Sequence, residues 1–273
     1  MKTLKLLVTC LLVTTYSFAN ISPKEKEALV ALYNATDGDN WNSSWDINAS
    51  VDTWYGIKVE DNKVTEISLQ FNNLQGTLPK EIGDLTHLRQ MNLGFNKLNG
   101  TLPETIKNLT ELRSLELFMN NFEGRIPDEL GALKQLESLK LYSNRFEGEI
   151  PKSLMELINL KELLLGSNFL TGNIPTEINA LSKLEKLSLM DNKLEGEIPM
   201  EIAQLSNLEE LILSTNQLTG DLPLEFINLR KLNTIMVSDN NLNQDYKSIS
   251  GIKPVLLNLE LQNSTATMDI EKE

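Results

Sequence analysis

From Val64 onward, apolar and polar positions alternate with a fixed long period. In residues 136–159, Leu136, Leu139 and Leu141 precede Asn144 by eight, five and three positions. Phe146, Ile150, Leu154 and Leu157 follow it by two, six, ten and thirteen. The alternation at 139 and 141 is that of a short strand with one buried face. The later apolar positions return to the same core from the opposite side. Asparagine marks the end of each strand: Asn72, Asn96, Asn120, Asn144, Asn168, Asn192, Asn216 and Asn240 stand 24 residues apart without a slip. The first seven are followed at +4 by Gly76, Gly100, Gly124, Gly148, Gly172, Gly196 and Gly220. They are followed at +7 by Pro79, Pro103, Pro127, Pro151, Pro175, Pro199 and Pro223. A period of this size predicts stacked coils rather than a closed globule. An asparagine amide both donates and accepts, so it can bond the turn backbone of its own coil and of the next. Gly148 permits a backbone conformation that a side chain would block, and Pro151 suits the first turn of a short helical segment.

The pattern Leu-x-x-Leu-x-Leu-x-x-Asn-x-Leu-x-Gly-x-Ile-Pro resembles the leucine-rich repeat. Its Gly-x-Ile/Leu-Pro half is similar to the 24-residue plant-type subclass of receptor-like kinase ectodomains and polygalacturonase-inhibiting proteins. The resemblance covers Val64 to about Leu242. It implies an α/β repeat solenoid, a horseshoe with a parallel concave sheet and 3-10 or short helices on the convex side. An extra short strand near Gly-x-Ile-Pro and a twisted superhelix are also implied.

The ends of a solenoid must hide its last apolar coil. Ser22-Pro23-Lys24-Glu25 reads as a capping box with proline at the first helical position, opening a helix to about Tyr33 that buries Leu29, Leu32 and Tyr33. Trp41, Trp45 and Trp54 fall together, and are expected to cover the first coil; carbohydrate stacking by one of them is the alternative. An N-terminal helical, Trp-rich cap over residues 20–63 is therefore expected. Plant ectodomains often carry Cys-x-Trp-x-Gly-Val-x-Cys here, whereas this chain has Asp52 and Val59 in place of both cysteines. The stretch from Ala28 to Trp41 looks like the cap of exported bacterial leucine-rich-repeat proteins, and that resemblance implies a bacterial source. At the far end, Leu256, Leu259 and Leu261 restore the strand spacing, with Ser264 where asparagine would stand. Residues 64–264 then hold about nine strands, the last a degenerate capping coil, followed by an acidic tail at 265–273.

Lys2 and Lys5, the apolar run from Leu6 to Val13, and Ser17-Phe18-Ala19 read as a secretory signal peptide over 1–19, with a retained anchor as the alternative. A secreted, periplasmic or cell-surface location without a membrane span is expected. Cys10, the only cysteine, lies inside that leader, so the remaining chain can form no disulfide or thiolate metal site. The formal charge of −13 disfavours nucleic acid and anionic membranes as partners.

Catalytic chemistry finds no foothold. His87 is the only histidine, and no nucleophile–base–acid grouping forms around it by repeat geometry. Asp37-Gly38-Asp39-Asn40 invites a calcium reading, but Trp41 in the fifth position breaks the loop pattern and a turn is expected instead. No enzyme activity, metal or cofactor is expected. The irregular positions lie on the concave face, at −6, −4 and −2 from each asparagine, with −1 at the rim. Phe71, Phe95, Phe118, Met119 and Tyr142 cluster towards its N-terminal half, with Glu116, Lys140, Leu164 and Met190 beside them. The repeat's own packing needs no aromatic there, and exposed aromatic clusters mark binding surfaces. The alternative is that the cap folds over Phe71 and Phe95. These residues are the expected site for a protein or peptide ligand. Glycan binding, or inhibition of a glycan-degrading enzyme, is the second reading. An ice-binding role lacks the in-register threonines it would need.

Overall fold

The computed structural model describes residues 21–243. The expected leader, the capping coil at 256–264 and the acidic tail lie outside them. Each coil contributes one short strand to a parallel sheet, from Glu66 paired with Gln90 through to Ile212 paired with Met236. The register advances by one repeat at every step, as where Leu163 faces Leu187. The strand leucines and the apolar residues after each proline fill one continuous core, with Leu139, Leu141, Phe146, Leu154 and Leu157 fully buried. After each proline a 3-10 segment forms the convex side, as at Lys152–Glu156. The segments around the glycines, such as Arg145–Glu149, pair into a second parallel sheet of eight strands, as the resemblance implied. Gly148 sits there at φ 79°, in the left-handed region.

The asparagines bind successive coils together. Asn144 Nδ2 donates to Leu141 O in its own turn and to Leu117 O one coil back, both at 3.0 Å. Its Oδ1 accepts from Phe122 N at 3.0 Å. Asn72 has no full coil before it and turns the same groups to the cap, where Oδ1 accepts from Ser43 N at 2.7 Å.

The cap is built around helix α1 (Pro23–Ala35), which buries Ala28, Leu29, Leu32 and Tyr33. Ser22 Oγ accepts from Glu25 N, and the Glu25 carboxylate accepts from Ser22 N. The other carboxylate oxygen accepts from Val64 N at 3.1 Å, so the capping glutamate also fastens the helix to the first repeat. All three tryptophans are buried, and each indole N–H donates to a backbone carbonyl. Trp45 lies within 4.8 Å of Trp41 and 4.7 Å of Trp54, ring centre to ring centre. Carbohydrate stacking on these rings is therefore ruled out, because their faces are spent on one another and on the core. The Asp37–Asn40 stretch is a turn: Asn40 Nδ2 donates to Asp37 Oδ1, and Asp39 accepts from the Tyr33 hydroxyl.

Two features were not foreseen. Strand β1 (Ile57–Glu60) runs antiparallel to β2 (Lys63–Ser68) and covers the edge of the concave sheet. The residue before every asparagine, expected as a rim position, has φ between 51° and 59° from Phe71 to Asp239. This left-handed bend turns the chain inward after each strand.

Candidate ligand-binding face

The bend at −1 sets the geometry of the face, because it directs that side chain out of the core. Small polar residues occupy it in the later coils, at Ser143, Ser167, Asp191, Thr215 and Asp239. The first three coils place Phe71, Phe95 and Met119 there, at φ 56°, 53° and 52°. A bulky side chain in this conformation is strained, and these three recover little by burial: they are 59%, 38% and 42% exposed.

The aromatic rings form a row. Phe71 stacks on Phe95 with centroids 4.0 Å apart, and Phe95 meets Phe118 edge to face at 5.3 Å. Phe118 in turn stacks on Tyr142 at 4.8 Å. Phe118 lies over Gly94, where an added Cβ would come within 2.7 Å of its ring. The glycine makes the berth that lets the ring lie down. The cap bonds the backbone beside this row, with Asn42 Nδ2 donating to Phe71 O at 2.8 Å, yet it leaves the Phe71 ring uncovered. The cap does not fold over Phe71 and Phe95.

Alongside runs a ladder of alternating charge. Lys140 Nζ lies 3.1 Å from Glu116 and 3.2 Å from Glu162, and Lys186 lies 3.2 Å from the other Glu162 oxygen. Burial acts to lower the Lys140 pKa, but hydrogen bonding and charge from Glu116 and then Glu162 outweigh it and raise it. Burial likewise acts to raise Glu162, and the Ser138 hydroxyl and the two lysines prevail in lowering it. Burial raises the Tyr142 phenol, which stays neutral at physiological pH. Beyond Tyr142 the face dips into a depression of about 270 Å³ between Tyr142, Leu164, Met190 and Ile212.

Residues 62–122 match the family model described as Leucine rich repeat, and residues 135–157, 159–181, 183–205 and 207–229 match a second Leucine Rich Repeat model. A pollen receptor kinase 3 crystal structure is 34% identical, with 70% of this chain covering 92% of that one at a TM-score of 0.60. The chain belongs to the leucine-rich-repeat family. This leucine-rich-repeat protein is also similar to the Arabidopsis receptor kinase HAESA in complex with the peptide hormone IDA and the co-receptor SERK1. There the identity is 35%, the TM-score is 0.68, and 77% of this chain covers 35% of that one. It thus spans about a third of that receptor chain's length. A plant ice-binding protein aligns with a TM-score of 0.79 at 26% identity, covering 89% of this chain and 79% of that one. No curated protein matches.

The expected site residues of this leucine-rich-repeat protein do share one face, with different roles. Phe71, Phe95, Met119 and Met190 are exposed, while Tyr142 and Leu164 are half-buried. Phe118, expected as an exposed anchor, is only 8% exposed and supports its neighbours. Glu116 and Lys140, expected to face a ligand, are paired with each other inside the ladder. The asparagine ladder serves structure alone. Gly94, Gly166 and Ile212 stand in the outward columns but were given no role, and the rest of the charge ladder was missed. The two glycines could have been found as gaps in the −2 column beside large neighbours. Among the described residues no group of histidine, cysteine and carboxylate side chains could hold a metal ion, and no helix is long and apolar enough to cross a membrane.

Proposed function

We propose that this protein is an exported binding module that takes a protein or peptide partner on its concave face. Phe71, Phe95 and Met119 are the leading anchors, Phe118 and Tyr142 hold them in a row, and Leu164 and Met190 extend the apolar surface. The observation that carries this reading is the strained, exposed placement of three large apolar side chains at a bend that favours serine or aspartate. Core packing does not call for them, and aromatic side chains dominate interface hot spots. The similar receptor HAESA was crystallised with a peptide hormone, and the residue 1–19 pattern supports export. The ice-binding neighbour carries less weight. On the exposed positions of the second sheet this chain has Arg145, Phe169 and Lys193 rather than a threonine column.

The test compares partner capture by residues 20–273 with capture by a Phe95→Ser/Met119→Ser variant, from native extracellular fluid, read by mass spectrometry. Loss of two hot-spot side chains should weaken capture by roughly tenfold or more while the circular dichroism spectrum is unchanged. Equal recovery of the same partners by a folded variant refutes the assignment.

A further inference from the structure

The charge ladder on the concave face has two unlike ends. At Glu116 it is closed, because Asn92 Nδ2 donates to the free carboxylate oxygen at 2.8 Å and itself reaches on to no cation. At the other end stands Glu210, whose strand pairs with that of Lys186. Its carboxylate has no hydrogen bond or ion pair within 4.0 Å among the described residues; Lys186, whose ion pair is with Glu162, feels the Glu210 charge only at longer range. The alternation calls for a cation in the next coil. That coil offers Thr234, whose hydroxyl donates to Asn233, and Met236. A rung is missing.

Glu210 also borders the depression. Gly166 gives the Met190 side chain its berth on one wall: an added Cβ there would lie 2.9 Å from Met190 Cγ. Tyr142, Leu164 and Ile212 make the remaining walls mainly apolar, with Ser167, Ser188 and Lys186 also lining the hollow, and its volume of about 270 Å³ takes one large apolar side chain.

We propose that the open end of the ladder and the hollow beside it form one subsite, for an extended peptide that presents a basic side chain next to a large apolar one. The inference rests on the concave-face reading above and names the chemistry of its ligand. The basic group supplies the missing rung at Glu210, and the apolar group fills the hollow between Leu164, Met190 and Ile212. A net charge of −13 makes a second copy of this chain a poor occupant and a cationic segment a good one. From Phe71 to Met190 is five coil steps, about 24 Å, which seven or eight extended residues span, so one peptide can touch both the aromatic row and the subsite.

The probe is a phage-displayed library of random dodecapeptides selected on immobilised residues 20–273. Enriched peptides should pair Leu, Met or Phe with a neighbouring Lys or Arg. A synthetic copy titrated by calorimetry should bind Glu210→Gln about fivefold more weakly, with a shallower salt dependence. It should bind Gly166→Val, which forces Met190 off its berth and reshapes the hollow, about tenfold more weakly. Glu210→Gln is isosteric, so it decides the matter even if Gly166→Val fails to fold. Enrichment of peptides without a basic residue, no enrichment, or unchanged binding by Glu210→Gln overturns the subsite. If Phe95→Ser abolishes binding while Glu210→Gln and Gly166→Val do not, the subsite falls and the concave-face reading stands. If none of the three has an effect, both fall.

Discussion

Replacing Asn144 by alanine isolates what one rung of the asparagine ladder contributes. The side chain serves four backbone groups, the most distant being Tyr142 O at 3.4 Å, which keeps Met119 N as a donor, and they do not lose equally. Phe122 N has Asn144 Oδ1 as its side-chain acceptor and is left buried without it. Leu117 O keeps a donor from Asn120, at 3.1 Å, and Leu141 O keeps one from Asn168, at 3.1 Å. One fully orphaned N–H costs about 1–3 kcal/mol, and two carbonyls reduced to a single donor add less, so the loss should be roughly 2–4 kcal/mol. Asn144→Asp separates donor from acceptor. It keeps an oxygen for Phe122 N but points a carboxylate at two carbonyls, so at pH 7 it should cost at least as much as alanine. Urea unfolding followed by far-ultraviolet circular dichroism measures both variants by linear extrapolation. Tryptophan fluorescence reports the cap separately, since Trp41, Trp45 and Trp54 all lie there. An array of coils can lose cooperativity, and divergence of the two probes would reveal it. A loss below about 1 kcal/mol for Asn144→Asp would refute the account of the amide as an obligatory donor.

Met119→Asn should raise stability by about 0.5–1 kcal/mol, because asparagine tolerates the left-handed bend better than methionine, and should weaken partner capture. Lower stability in urea would count against the claim of strain. Acid should loosen the rod through its carboxylates. The Glu162 pKa is lowered in the folded state, as are those of Glu137, through hydrogen bonds from Lys161 and Arg113, and Glu177, through Lys152. A depressed carboxylate stabilises above its unfolded pKa, near 4.5, and loses that contribution as pH falls through the folded value. The urea midpoint should therefore hold steady from pH 7 to 5 and decline below about 4.5, with a smaller decline in Lys140→Met; a flat profile to pH 3 contradicts the ladder's role.

The coil architecture was legible because one asparagine, one glycine and one proline recur in a single register, and each has a local backbone reason to stand where it does. The capping helix was legible for the same kind of reason, in Ser22 and Glu25. Strand β1 was not read, although its signal was present. Asp61 and Asn62, both at positive φ, form a two-residue turn between apolar stretches. The charge ladder escaped because it changes column, from −4 at Glu116 and Lys140 to −6 at Glu162, Lys186 and Glu210, so neither column alone shows the alternation. The burial of Phe118 was hidden by Gly94, whose missing side chain lies one whole repeat away in sequence and beneath the ring in space.

The left-handed bend before each asparagine separates two jobs that most positions in a protein must share. Its backbone angle is held by the coil, while its side chain is asked for nothing by the core or by the ladder. Each repeat thereby offers one site whose identity can drift, or be selected, at small cost to folding. Phenylalanine, methionine, serine, threonine and aspartate already coexist in that column on an unchanged backbone. A new preference for partners can thus arise by single substitutions spaced 24 residues apart, coupled only where neighbouring side chains touch, as Phe71 and Phe95 do.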